Sequence, residues 1–390
     1  IKPEHVNSAV DELLKLASDA LDQVSQKDFP SDWHAISKVL DVCTEKLIVS
    51  WGAVSHLNNV ADSPELRAAY NDALPKVTEF WTRLGADERL YAKYKAVAPA
   101  QLDKAQQQAL KNALRDFVLG GAELQGDAKL RYAAIQERMA ELSQKFSENA
   151  LDATDRFSLF VTEDELAGLP EDVVHTARAA AEKDGQSGYK LTLKMPCYLP
   201  VMQFAVSSDL RQKLYRAYVT RASDQADAQF AELDNSTLIQ EILQLRQEEA
   251  QLLGFQNFAE VSVATKMADS PAKVIAFLRD LSQRARPFAA NDLQDMRQFA
   301  AEHLNLQDPQ AWDWSFIGEK LKEARYSFSE QEVKQYFTAP KVLQGLFKII
   351  ETLLEVNIQA DIAPVWHPAV AFYRIERNGQ LIGQFYLDPP

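Results

Sequence analysis

Val6, Val10, Leu13, Leu14, Ala17, Leu21 and Val24 recur mostly every three or four residues, with charged and amide side chains between them. That period predicts an amphipathic helix over residues 3–26. A second helical stretch runs from Trp33 through Leu57. Ser63-Pro64 places an N-cap before a first-turn proline and opens a third helix, through Leu84. Residues 103–119 and 127–156 repeat the pattern, with Ile135, Met139, Leu142, Phe146 and Ala150 along one face and Gly120-Gly121 as the break between them. Further helices are predicted over 208–221, over 236–253 between Asn235 and Gly254, and over 341–356. Another opens at Ser270-Pro271 with the stripe Val274, Phe277, Leu278 and Leu281, and Pro287 is expected to kink or stop it. These helices suit antiparallel hairpins packed side by side, and without a fixed repeat length they do not suit a solenoid.

The period changes from 3.6 to two in two places. Phe157–Val161 and Tyr189–Leu193 alternate as strands around a polar, alanine-rich helix near 171–182, a β-α-β insertion. At the end, AFYRIERNGQLIGQFYLD reads as a hairpin turning at Asn378-Gly379. A simple two-residue turn sets Ile375 opposite Ile382 and Phe372 opposite Phe385, on opposite faces. Both faces then need cover, and the edge needs a neighbour that the rest of the chain offers little to provide. The fold class is therefore mainly α: an N-terminal helical lobe over 1–155, a small β-containing insertion over 156–199, a second helical region over 200–365, and over 366–390 the start of a sheet that this chain does not complete.

Composition narrows the function. The chain has 390 residues, 46% hydrophobic and 25% charged, and only 13 glycines, which suits long helices with few tight turns. A net charge of −14, with no Lys/Arg run, excludes an ordinary nucleic-acid face and leaves basic peptides as compatible partners. The two cysteines, Cys43 and Cys197, stand far apart in no metal or redox spacing and fit a reducing compartment. No signal peptide opens the chain, and no run reaches the ~20 apolar residues of a membrane span, so a cytoplasmic location is expected and Asn235-Ser236-Thr237 is not a glycosylation site in use.

Candidate chemistry is sparse. His5, His34, His56, His175, His303 and His367 are scattered, and no H-E-x-x-H pair occurs. His367, between Trp366 and Pro368, reads as a structural imidazole. Gly185-Gln186-Ser187-Gly188 lacks the spacing of a nucleophile elbow, and no phosphate loop is present. Glu248-Glu249 reads as a solvated helix face. Trp312, Trp314, Tyr326, Phe328, Tyr336 and Phe337 form a dense aromatic run whose first reading is core packing and whose second is a peptide-binding wall.

Eight stretches, in order along essentially the whole chain, carry a resemblance. They are SHLNNVADSPELRAAY (55–70), LDATDRFSLFVTEDELAGLPEDVV (151–174), GYKLTLKMPCYLPVMQFA (188–205), LYRAYVTRASDQ (214–225), LRQEEAQLLGF (245–255), TKMADSPAKVIAFL (265–278), WDWSFIGEKLKEARYSFSEQEVKQYF (312–337) and WHPAVAFYRIERNGQLIGQFYLD (366–388). Together they resemble the thimet-oligopeptidase family of zinc metallopeptidases. The resemblance implies a helix-rich body split by a channel that admits short unstructured peptides, with zinc and a general-base glutamate on an H-E-x-x-H helix well downstream of the segment matching Phe385–Asp388. No catalytic or metal role can be carried onto a numbered position here, no zinc is expected on this chain alone, and peptide-contacting residues stay unassigned. Pro389-Pro390 departs from the apolar residue and Tyr with which family members continue. The expectation is an N-terminal, non-catalytic portion of such an enzyme, supplying channel wall and size selection, with the missing catalytic part of the same polypeptide as its partner. The rivals are a stand-alone helical binding or scaffold protein and a portion of a related peptidyl-dipeptidase.

Overall fold

The computed structural model describes residues 1–327 and 333–388. Phe328, Pro389 and Pro390 lie outside the described residues. The chain folds into two compact units that interleave along the sequence: Ile1–Phe157 with Arg216–Asp292, and Ser158–Tyr215 with the residues from Leu293 onward.

The first unit is helical because its sequence caps and stripes its helices in the ordinary way. α1 (Pro3–Val24), α2 (Trp33–Val60) and α3 (Pro64–Gly85) pack together. α4 (Glu88–Ala96), α5 (Lys104–Leu119) and α6 (Gly126–Asp155) follow. Asp32 accepts from the Ala35 amide, Ser63 from Leu66, and Asp103 and Gln106 exchange a capping box, satisfying amides that a helix start leaves orphaned. The core gathers Leu21, Val24, Ile36, Leu40, Leu90 and Phe117, with Trp33 edge-on to Tyr94 at 6.0 Å. Numbering past the second unit's elements, α10 (Ser236–Leu252) lies along α6, where Ile242 and Leu245 meet Ile135 and Leu142. Beneath them Asn149 donates to Asn235 Oδ1 at 2.8 Å, and Asn235 donates to the Phe146 carbonyl at 3.0 Å. α11 (Phe258–Val263) follows α10.

In the second unit, β1 (Leu159–Val161) and β2 (Tyr189–Leu191) pair antiparallel, Phe160 opposite Lys190, with α7 (Glu171–Lys183) between them in sequence. α8 (Met195–Phe204) packs on α13 (Trp314–Tyr326), and α9 (Ser208–Val219) begins beside them. α12 (Pro271–His303) runs 33 residues, those up to Asp292 counted with the first unit and the rest with the second, and Pro287 does not stop it. The flanking residues are exposed, so water can serve the Gln283 carbonyl that the proline leaves without an amide.

α14 (Ala339–Leu354) ends on Glu355 in the left-handed region, φ 53°, and hands over to β3 (Asn357–Asp361). β4 (Ala371–Arg377) and β5 (Gln380–Leu387) complete an antiparallel sheet in the order β3-β4-β5. The expected neighbour for the hairpin thus comes from this chain: β3 pairs along β4, and the Glu351 carboxylate accepts from the Ile358 amide at 2.8 Å. Asn378 and Gly379 take φ 52° and 73°, as a mirror-image turn requires. The register matches the simple hairpin only beside that turn, at Arg377 opposite Gln380 and Glu376 opposite Leu381. A bulge then shifts it, so that Ile375 faces Gly383, Tyr373 faces Phe385 and Phe372 faces Tyr386.

Candidate functional site

The bulge decides what each face of the sheet offers. On one face Tyr373 and Phe385 stack at 5.3 Å, and Phe347 of α14 meets Tyr373 edge-on at 5.0 Å. On the other, Phe372 and Tyr386 lie 4.6 Å apart with Trp366 at 5.1 Å from Tyr386. Trp366 Nε1 donates to Asp388 at 3.1 Å, and the Tyr386 hydroxyl to the Pro364 carbonyl at 3.2 Å. Both faces are apolar, as the alternation required, but through aromatic pairs one register away. Two surfaces of this module stay uncovered among the described residues. β5 has β4 as its one strand neighbour, and Val342, Leu346, Ile349 and Leu353 form an exposed apolar stripe on α14.

The aromatic run separates into two kinds. Trp312 is framework: its Nε1 donates to Ser208 Oγ at 3.0 Å, and Ser208 donates to Asp313 at 2.9 Å. Asp313 also receives Arg211, whose guanidinium lies 4.3 Å from the centre of the Phe316 ring. Trp314 lies near Arg297, 5.9 Å from its guanidinium carbon. Tyr326, Tyr336 and Phe337 are exposed, so core packing does not account for them.

All six histidines are exposed, and among the described residues no group of three or more His, Cys, Asp or Glu side chains is arranged to hold a metal ion. His367 shapes a local turn, its Nδ1 accepting from the Ala369 amide at 3.2 Å. Cys43 packs partly buried in the first unit's core, while Cys197 accepts from the Thr192 amide at 3.3 Å and burial pushes its thiol up. Gly185 and Gly188 serve the turn into β2 with positive φ. No helix among the described residues is long and apolar enough to cross a membrane.

Glu248-Glu249 is not uniformly solvated. Glu248 forms a two-point ion pair with Arg131, at 2.6 and 2.7 Å. Glu249 is buried, accepts from Gln136 at 3.0 Å, and burial raises its carboxyl above the ordinary 4.5. The folded state then holds the proton more tightly than the unfolded chain, so Glu249 costs stability progressively as pH rises through and above 4.5. Glu249→Gln keeps an acceptor for Gln136 and removes the charge. It is expected to raise stability at pH 7 by something of order 1 kcal/mol and to lose that advantage near pH 4, read as melting temperature against pH.

Comparison with known proteins places these elements in context. The model of Peptidase family M3 matches residues 201–389, and that of the Neurolysin/Thimet oligopeptidase N-terminal domain matches residues 10–129. Oligopeptidase A of Salmonella typhimurium is 41% identical over 396 residues, covering 100% of this chain and 58% of the relative. Oligopeptidase A of Escherichia coli is 41% identical over 395 residues with the same coverage. The dipeptidyl carboxypeptidase of Salmonella typhimurium is 30% identical over 277 residues, covering 70% of this chain and 40% of the relative. The chain thus spans little more than half the length of these oligopeptidases.

Proposed function

The chain belongs to peptidase family M3, and we propose that it is the helical, non-catalytic portion of an oligopeptidase A-like zinc endopeptidase that hydrolyses short peptides in the cytoplasm. The observation that carries this reading is the match at 41% identity along 100% of the chain but only 58% of the relative. In this reading the two units supply channel wall and size selection, and Tyr326, Tyr336 and Phe337 offer contact surface to an unstructured substrate. The endopeptidase reading is preferred to the dipeptidyl carboxypeptidase one because the latter's similarity is lower and covers 70% of the chain.

The described residues do not fit a zinc site, since no three suitable ligands converge. Metal and general base belong, in this proposal, to polypeptide beyond these positions, and no step of hydrolysis is assigned to a residue of this chain. The apolar stripe of α14 and the edge of β5 are the kind of surface that such polypeptide would cover.

The test is direct. The purified 390-residue chain is expected to leave a quenched fluorescent peptide uncut, with or without added zinc. A chain extended through the downstream reading frame is expected to cut it internally and to lose that activity to a chelator. Chelator-sensitive cleavage by the 390-residue chain alone overturns the reading. So does an extended chain that only removes dipeptides from peptide C-termini.

A further inference from the structure

Four helices of the first unit, α2 to α5, leave a cavity of about 240 Å³ among them. Leu40 of α2, Leu84 of α3, Leu90 of α4 and Ala113 of α5 give it apolar walls, and Trp81 and Phe117 add aromatic ones. The ends of α3 and α5 meet beside it so closely that a Cβ on Gly120 would stand 2.7 Å from the Gly85 carbonyl oxygen. An apolar cavity of about 150 Å³ is enough to hold benzene. This one has room for a single ring with a small substituent.

The polar side chains of the lining divide into committed and free. Thr44 Oγ1 donates to the Leu40 and Asp41 carbonyls at 3.0 and 3.2 Å, and Asp116 accepts from Arg115 at 2.9 and 2.8 Å. Tyr94 is only 8% exposed, yet its hydroxyl has no hydrogen-bond partner among the described residues. A buried phenol ordinarily finds one. Two others in the same unit do: Tyr91 donates to Glu123 at 2.8 Å and Tyr132 to the Leu119 carbonyl at 2.9 Å. Burial and the nearby charge of Asp41 push the Tyr94 phenol up to about 12, so it keeps its proton and remains a donor. Trp81 Nε1 and the Asp41 carboxylate also lack a hydrogen-bond or ion-pair partner among the described residues.

The free groups are thus two donors, Tyr94 and Trp81, and one acceptor, Asp41, around an apolar and aromatic space. An ammonium ligand has no lone pair for the donors, and a carboxylate ligand has no proton for Asp41. Either also brings a charge into apolar surroundings. A hydroxyl has one proton to give and two lone pairs to offer, and a ring behind it suits the walls. We infer that this cavity binds a small one-ring phenol, with its ring beside Trp81 and Phe117 and its hydroxyl donating to Asp41 and accepting from Tyr94. The inference goes beyond the peptide reading and does not rest on it, because the ligand is a free small molecule held within the first unit.

Titration of the 390-residue chain by NMR or calorimetry tests it with three probes of one ring each: p-cresol, toluene and the benzylammonium ion. p-Cresol is expected to bind, and the other two about tenfold more weakly. Tyr94→Phe removes a hydroxyl that serves no other residue, so it is expected to keep the melting temperature, to lower p-cresol to the affinity of toluene and to leave toluene unchanged. Ala113→Leu fills the cavity and is expected to abolish binding of all three, which ties the signal to this place. If that variant fails to fold, Tyr94→Phe still decides. Toluene binding as tightly as p-cresol shows an apolar hole with no polar end, and benzylammonium binding more tightly than p-cresol shows a cation site. Either result overturns the inference, as does unchanged p-cresol affinity in Tyr94→Phe or no binding of p-cresol. Hydrolysis by the extended chain is a separate measurement, so either reading can fail without the other.

Discussion

Arg211→Met is expected to destabilise the second unit by about 3–5 kcal/mol, the range for breaking a buried ion pair from one side. Arg211 and Asp313 are 1% and 2% exposed, so neither charge has water to fall back on. Arg211 ties three pieces together: it reaches the Asp313 carboxylate at the start of α13 and donates to the carbonyls of Ala205, at 2.5 Å, and Val206, at 3.1 Å, just after α8. Methionine fills comparable length against Phe316 but leaves Asp313 charged and served only by Ser208 Oγ and the Gln310 amide, each at 2.9 Å. Adding Asp313→Asn to that variant removes the orphaned charge while keeping an acceptor. It is expected to recover about 1–3 kcal/mol, a coupling that a double-mutant cycle in urea detects. Additive losses from the two single variants would show that the pair is not what holds α8 to α13.

Gly168→Ala is expected to cost about 2–5 kcal/mol, although it adds one methyl group. Gly168 has φ +92°, a conformation that side chains resist, and a Cβ there would stand 2.3 Å from the Phe204 carbonyl oxygen and 2.9 Å from a Val206 methyl. The loop cannot step aside freely, because the Val206 amide donates to the Ala167 carbonyl at 2.8 Å. Gly185→Ala separates the two causes. Gly185 also has positive φ, +69°, but nothing lies within 4 Å of its would-be Cβ, so only the backbone strain of about 1 kcal/mol applies. Chemical denaturation followed by far-UV circular dichroism compares them, and equal losses at the two glycines would refute the close-approach account. Gly168 and Arg211 brace the same turn, residues 204–206, from opposite sides in sequence, so the two variants combined should not be additive.

Much of the helical architecture was readable because it depends on local rules. Ser63 caps α3 as its place before Pro64 foretells, and α1, α5 and α6 begin and end within two residues of their stripes. Pro287 does not stop α12, because a helix surrounded by water tolerates a missing amide. β3 escaped notice because the helix before it ends on Glu355, where a left-handed glycine would have marked the stop. The bulge was invisible for a different reason. Asn378-Gly379 sets register only near itself, while the pairing further out brings Phe372 to Tyr386 and Tyr373 to Phe385, with Trp366 and Phe347 flanking them from distant sequence. One buried polar position left a trace in the sequence: Asn58 lies four residues after Val54, where the buried face of α2 calls for an apolar side chain.

The interleaving of the two units also constrains how the protein is made. A ribosome releases residues 158–215 before it has synthesised 216–292, the stretch that completes the first unit. β1 therefore has its partner β2 while α6 still waits for α10, whereas α8 waits longer still, for α13. No single cut in the gene yields either unit whole, so its natural building block for shuffling or truncation is the interleaved pair.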